Sequence, residues 1–382
     1  MQCLTWQREL RAARRESHAM PDPDAVLASL PLGAEDTSRV LAALLAKHNH
    51  RHAVKGKIVS DDTMSDRGNF LFNFFRRLRE NTGFGRIDPR ELGARHVSAM
   101  VKIWVAEGKA TNTIHVYLCY LRVFAEWIKK PGMVRTASTY VGKDSPHAHR
   151  SQIAKEDHSW EARGVEVAAT IAKVAALDSW VGMQLELCWH FGMRAKEARF
   201  FRPNEAIRDR EHARLSDARP FADATHFVRL RQGTKGGRVR DVPILTDAQR
   251  ELICRIQRSV PKGGFVGVQH HSPEQSRNRF YWVLRRAGVT KSELGVFAHG
   301  LRHGYANDLY EARSGRPSPV RGGGQKHDDD VEARQAVARA LGHVRPGVTG
   351  YYIGAIQPIG RSEPKTESDA AHDHISHTPK PG

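Results

Sequence analysis

The chain has 382 residues, of which 40% are hydrophobic and 27% charged, and its formal net charge is +18. That length exceeds one ordinary core and implies two domains; no apolar run is long enough to cross a membrane, and MQCLTWQRELRAARRESHAM at the start has no apolar segment after its charges, which argues against a secretory signal. So basic a chain repels itself unless it meets a polyanion, and nucleic acid is the commonest one, because each cation set on a phosphate releases a condensed counterion.

Residues 1–35 are rich in Arg and Ala, interrupted by Pro21, Pro23 and Pro31, and the pattern assigns them no firm structure. From Asp36 it becomes helical. Leu71, Phe74, Phe75 and Leu78 repeat at three and four, as do Val97, Met100, Val101 and Trp104. Ile114, Tyr117, Leu118, Leu121, Phe124, Ala125 and Ile128 form a third stripe, with Thr111 as its expected N-cap. These predict a small helical domain over 36–132. Its exposed faces carry Arg76, Arg77, Arg79, Arg122, Lys129 and Lys130, candidates for phosphate contacts that read equally well as a solvated face.

Residues 133–160 lose periodicity and gain Pro, Gly, Ser and charge, the signature of a basic linker. A mixed α/β region is expected over 161–355. WVGMQLELCWHFGMRAKEARF reads as a buried helix, a break at a glycine and a second helix start. HFVRLRQGTKGGRVRDVPI reads as two strands joined by a Gly-Gly turn, with Val228 and Leu230 on one face. TDAQRELICRIQ reads as a helix. SPEQSRNRFYWVLRRAG is another, capped by Ser272, with Pro273 first, Gln275 three after the cap and Gly288 as terminator. LRHGYANDLYEA and DDVEARQAVARALG are helical, with a loop between them. Residues 356–382 read as a disordered tail. The four cysteines (Cys3, Cys119, Cys188, Cys254) include no C-x-x-C pair, which fits a reducing cytoplasm and argues against disulfides or a Cys-type zinc site. HNHRH at 48–52 and HDHISH at 372–377 have the density of metal sites but no supporting Cys or carboxylate cluster, and no metal is expected.

Within the second region Gly192-Met193-Arg194-Ala195-Lys196-Glu197, Lys235 on the strand turn, His299-Gly300-Leu301-Arg302-His303, Leu341-Gly342-His343 and Tyr352, nine residues after that last His, follow one another in order. This resembles the tyrosine recombinases, or phage-type integrases, over roughly residues 161–355. The resemblance implies a multi-domain, mainly α fold: a helical core-binding (SAM-like) domain, then a mixed α/β catalytic domain with a small antiparallel sheet, the two clasping duplex DNA. It implies a site-specific DNA recombinase that works through a 3′-phosphotyrosine. Double-stranded DNA is the expected partner, a homo-tetramer on two duplexes the expected assembly, with accessory DNA-bending proteins and a role at a mobile element. The expected location is the cytoplasm, at the nucleoid.

Chemistry agrees with that resemblance. When a phenol attacks a phosphodiester, negative charge builds on the non-bridging oxygens, and fixed cations there are the largest stabilising influence. Arg194 and Arg302 suit that role, being permanently charged forks of donors, with His343 adding a hydrogen bond. Lys235 is the candidate general acid for the leaving 5′-oxygen, His299 the candidate base for Tyr352, and Glu197 the residue that holds Arg194. Tyr351 and Tyr352 lie about 100° apart on a helix, so only one faces the cleft; the spacing selects Tyr352. No cofactor is expected: the phosphotyrosine conserves the bond energy, and the sequence has neither a G-x-x-x-x-G-K-[ST] loop nor carboxylates spaced for two Mg²⁺ ions.

One interval departs from the family. Arg302 and His343 stand farther apart than usual, and the excess falls at about 312–330, read as a surface insertion able to touch DNA, a neighbouring protomer or neither. The rival readings are a type IB topoisomerase-like enzyme, a non-catalytic DNA-binding relative, and a metal-dependent nuclease.

Overall fold

Apolar residues three and four apart bury one stripe of a helix each, and facing stripes build the first of two cores. The computed structural model describes residues 21–33, 36–51, 58–323, 329–343 and 345–355. It divides into two compact units, Met1–Ser151 and Gln152–Gly382. The described part of the first is helical apart from an isolated antiparallel bridge between Arg51 and Ile58: α1 (Pro23–Ser29), α2 (Thr37–His48), α3 (Asp61–Asn81), α4 (Ala94–Ala106), α5 (Thr111–Trp127) and α6 (Ala137–Val141).

Its core is the predicted one. Leu71, Phe74, Val97, Met100, Trp104, Ile114, Leu118 and Phe124 are all buried. Phe70 stacks on Tyr117 at 4.6 Å between centroids, and Trp104 meets the same ring edge-on at 4.9 Å. Asp36 and Ser60 cap α2 and α3 by accepting from the backbone of Arg39 and Thr63. The expected cap at Thr111 is not one. Helix α5 begins at Thr111 with Ala110 as the cap residue, and the Thr111 hydroxyl reaches Pro146 O and the His147 ring instead. Residues read as linker are divided between the cores: Val134 and Ala137 pack into the first, Trp160 into the second.

The second unit is mainly helical around a small sheet. It contains α7 (Val167–Leu177), α8 (Ser179–Phe191), α9 (Ala195–Arg199), β1 (Ile207–Asp209), α10 (Leu215–Ala218), β2 (His226–Leu230), β3 (Arg240–Ile244), α11 (Asp247–Ser259), α12 (Pro273–Arg286), α13 (His299–Ser314), α14 (Asp330–Ala340) and α15 (Gly350–Ile353). The sheet is antiparallel in the order β1-β2-β3, with Val228 opposite Val242 and Leu230 opposite Arg240. Ser272 and Gln275 form the expected capping box of α12, and Thr246 with Gln249 forms one on α11. Phe191 and Cys188 are fully buried in the core of this unit.

Strand β3 is buried along its whole length although it begins Arg240-Asp241. Buried charges are tolerated only when paired. Asp241 takes the Arg229 guanidinium at 2.8 Å, and Arg240 turns to Glu197. That second pair lies at the centre of the candidate site.

Candidate active site

Helix α8 ends at Gly192, whose φ is 57°. A Cβ there would lie 2.4 Å from Tyr305 Cδ1, so both the conformation and the space require glycine. The turn delivers Arg194 to the start of α9. The Arg194 N–H donates to Glu197 Oε2 at 2.7 Å, and its Nη1 donates to Oε1 at 2.8 Å.

Glu197 is 1% exposed and serves three arginines. Arg240 donates from Nη1 to Oε1 at 2.8 Å and from Nη2 to Oε2 at 2.7 Å, and its Nε donates to Ala340 O at 3.0 Å. Arg302 Nη1 lies 3.9 Å from Oε2. Burial alone would raise the Glu197 pKa; hydrogen bonds from Arg240 and the charges of Arg240, Arg302 and Arg194 outweigh it and hold it at about 2. Three guanidinium charges against one carboxylate leave this cluster with a surplus of two positive charges.

Arg302 is completely buried on α13. Its Nη1 donates to Gly192 O, its Nη2 to Leu341 O at 2.7 Å, and its Nε to the Tyr352 hydroxyl at 3.2 Å. Burial pushes its pKa down to about 10, so it remains charged at neutral pH. The backbone carbonyls fix the plane of the guanidinium, and its five N–H groups exceed the three bonds just described.

Tyr352 is 3% exposed on α15, whereas Tyr351 is 46% exposed. The Tyr352 ring sits among His303 at 4.9 Å, Tyr351 at 5.2 Å, His343 at 5.7 Å and His299 at 6.0 Å between centroids. Burial, helped by neighbouring arginines, lowers His299 to about 4 and His343 to about 3. Burial with His299 and His158 beside it lowers His303 to about 3. All three are neutral imidazoles at pH 7. His343 Nε2 and His303 Nδ1 are buried without a hydrogen-bond partner among the described residues, the kind of unmet polar atom that marks a site built for something else to bind.

Five of the six expected catalytic residues therefore surround one point. The sixth, Lys235, is exposed on the turn Lys235–Gly237 between β2 and β3, and its charge contributes to the lowering of His343. Sequence reasoning missed Arg240 and assigned His303 no role. For Arg240 a signal existed: a charge inside a strand otherwise fit for burial has to have a buried partner.

The first unit's expected phosphate contacts are partly employed inside that unit. Arg122 donates to Val134 O and Arg135 O, and Lys130 to Leu92 O. Arg77 pairs with Glu107, Arg76 with Glu80 and Asn73, and Arg79 lies 3.5 Å from Glu80. Lys129 has a φ of 58° just beyond the end of α5. Of the histidine-rich stretches, His48 stacks on Trp127 at 5.8 Å, while His52 and 372–377 lie outside the described residues. Among the described residues no group of three or more His, Cys, Asp or Glu is placed to hold a metal ion, and no helix is long and apolar enough to cross a membrane.

Comparison with curated protein sequences gives no match. Among solved structures, the chain is similar to a lambda integrase dimer bound to a COC′ core site, at 16% identity and a TM-score of 0.48, covering 95% of this chain and 89% of that one. It is similar to the XerH site-specific recombinase bound to a palindromic difH substrate, at 14% identity and a TM-score of 0.46, covering 83% and 80%. It is also similar to the Tn1549 transposon integrase in complex with a circular intermediate DNA, at 13% identity and a TM-score of 0.47, covering 82% and 94%. The family model described as "Integrase" matches residues 151–308. That span carries Arg194, Lys235, His299 and Arg302, while His343 and Tyr352 lie beyond it; over residues 151–308 the chain matches the integrase family.

Proposed function

We propose that the protein breaks and rejoins duplex DNA at specific sites through a covalent bond between Tyr352 and a 3′-phosphate. The observation that carries this reading is the Tyr352 hydroxyl on Arg302 Nε, with Arg302 joined to Arg194 through Glu197. A phosphate bound at that junction meets two fixed guanidinium groups and, beside them, a phenol oxygen. The Tyr352 oxygen forms a bond to phosphorus while the bond to the 5′-oxygen breaks. Arg194 and Arg302 stabilise the charge that builds on the non-bridging oxygens, and His343 Nε2 supplies a further hydrogen bond. His299, neutral at pH 7, takes the phenolic proton; Lys235 donates one to the departing 5′-oxygen. Reversal by another strand's 5′-hydroxyl rejoins the DNA without ATP, because the phosphotyrosine keeps the bond energy.

On this reading residues 36–132 form a second DNA-contacting domain, 133–160 joins it to a catalytic domain over 161–355, and strand exchange takes place in a tetramer on two duplexes, with accessory proteins bending the DNA and the chain residing at the nucleoid. The test is a pool of duplexes nicked close to the cleavage position, so that the short 5′-end diffuses away and traps the covalent state. Wild type becomes attached to a 3′-end, with or without EDTA; Tyr352→Phe binds and stays unattached. Cleavage abolished by EDTA would instead indicate a metal-dependent nuclease, and relaxation of supercoils at no specific site a topoisomerase.

A further inference from the structure

Within the stretch read from the sequence as an insertion, residues 315–321 fold back onto their own unit. After α13 ends at Ser314, the chain reverses into the turn Pro319–Arg321. Ser318 is fully buried; its hydroxyl donates to Asn307 Oδ1 at 2.7 Å, and its N–H donates to Glu311 Oε1 at 3.3 Å. Arg321 donates from Nε to Asp157 Oδ2 at 2.8 Å and from Nη1 to Asp308 Oδ1 at 2.7 Å and Glu311 Oε2 at 3.3 Å. Asn307, Asp308 and Glu311 belong to the helix that carries His299 and Arg302.

The other side of the turn meets the helix of the nucleophile. Gly354 ends α15 with a φ of 78°. A Cβ on it would lie 2.9 Å from Val320 Cγ1, 3.3 Å from Pro319 Cβ and 3.3 Å from Ala154 O. Helix α15 has four residues, too few to hold its own shape, so its neighbours set its position. Besides α13, whose Arg302 holds the Tyr352 hydroxyl, those neighbours include the Ala154 N–H, which donates to Gly350 O at 2.8 Å; Arg334 Nη1, which donates to Gly354 O at 3.0 Å; and the Pro319–Val320 contact.

We infer that residues 315–321 are a strap fixing the Tyr352 helix against its own active site, and that Arg321 is the positioning residue that fastens it. The inference rests on the reading of Tyr352 as nucleophile. One guanidinium among three carboxylates leaves the fastening with two surplus negative charges, which repel a phosphate backbone; Arg321 is therefore withdrawn from DNA contact. Burial would raise Asp157, yet the hydrogen bond from Arg321 holds it below the usual carboxylate range. Misplacing a reacting atom by about 1 Å costs on the order of 100-fold in rate, so a loosened strap slows the phenol's attack and leaves DNA binding alone.

The experiment compares wild type, Arg321→Ala, Arg321→Lys and Val320→Ala in single-turnover attachment to a nicked duplex. A parallel duplex carries a 5′-bridging sulfur, whose thiolate leaves without a proton. Arg321→Ala attaches about 10- to 100-fold more slowly to both duplexes, with DNA affinity within about twofold of wild type. Arg321→Lys recovers part of the rate, and Val320→Ala shows a smaller loss of the same kind. Lys235→Ala, by contrast, is rescued by the sulfur. Hydrogen exchange of the amides at 351–354 is faster in Arg321→Ala in the absence of DNA. Wild-type attachment rates, a loss that follows affinity, a defect cured by sulfur, or unchanged exchange would each overturn the strap. Failure of wild type to attach at all would sink the nucleophile reading, and the exchange measurement would still decide the strap.

Discussion

The two units handle positive charge in different ways. In the first, Arg76, Arg77 and Arg79 stand near Glu80 and Glu107, acidic partners that are themselves part exposed. In the second, Arg194, Arg240 and Arg302 converge on Glu197, which has no exposed side-chain surface. Exposed pairs contribute little and leave the cation free to exchange partners. A buried cluster with too few carboxylates is costly to assemble and retains its field. On the proposed function a bound phosphate offsets that cost in the second unit, while the first unit's arginines offer at most a surface for phosphates.

The largest way to break this comparison is Glu197→Gln. It leaves buried guanidinium charge without a counter-charge and should cost about 3–5 kcal/mol, a fall of roughly 10 °C in melting temperature for a unit of this size. Glu107→Gln in the first unit should cost under about 1 kcal/mol. Equal losses, read by denaturant unfolding, would erase the distinction. Next is Arg302→Lys. An ammonium cannot reach Gly192 O, Leu341 O and Tyr352 with one rigid plane, so covalent attachment should fall by about 100- to 1,000-fold while DNA affinity holds. A variant with a wild-type rate would remove Arg302 from the transition state.

Acid sharpens the contrast further. His299, His303 and His343 have folded pKa values of about 4, 3 and 3, below the ordinary 6.5. Between those values and 6.5 the unfolded chain binds more protons, so their contribution to stability is complete above pH 6.5 and is lost as pH falls toward 4 and then 3. Melting temperature should drop through that window, and His303→Asn should flatten the drop. A profile steepest above pH 7 would contradict the burial of these rings. The smallest effect belongs to the first unit. Arg76→Ala should leave stability within about 0.5 kcal/mol and, if Arg76 meets a phosphate, lower the slope of log affinity against log salt by about 1. An unchanged slope would assign it to the Glu80 pair alone.

Periodicity exposed the helices of the first unit because their stripes face a single core, and Phe74, Trp104 and Phe124 are buried where the spacing puts them. The six candidate positions stood out because short motifs hold them in order. What stayed hidden depends on approach in three dimensions. Arg240 and Glu197 are 43 residues apart; a charge inside a buried strand demands a partner, but nothing local says that the partner is Glu197. Asp157 and Arg321 are 164 apart. Thr111 failed as a cap because the later residues Pro146 and His147 drew its hydroxyl away. Tyr351 and Tyr352 were separated by helix geometry, and their exposures of 46% and 3% follow that separation.

The central claim is that one phenol, of two neighbours, becomes bonded to DNA. Peptide mapping by mass spectrometry of the trapped adduct, after nuclease digestion of the DNA, reads this directly. The remnant nucleotide should be found on Tyr352, with Tyr351 unmodified. A remnant on Tyr351, or on any residue outside α15, would contradict the account.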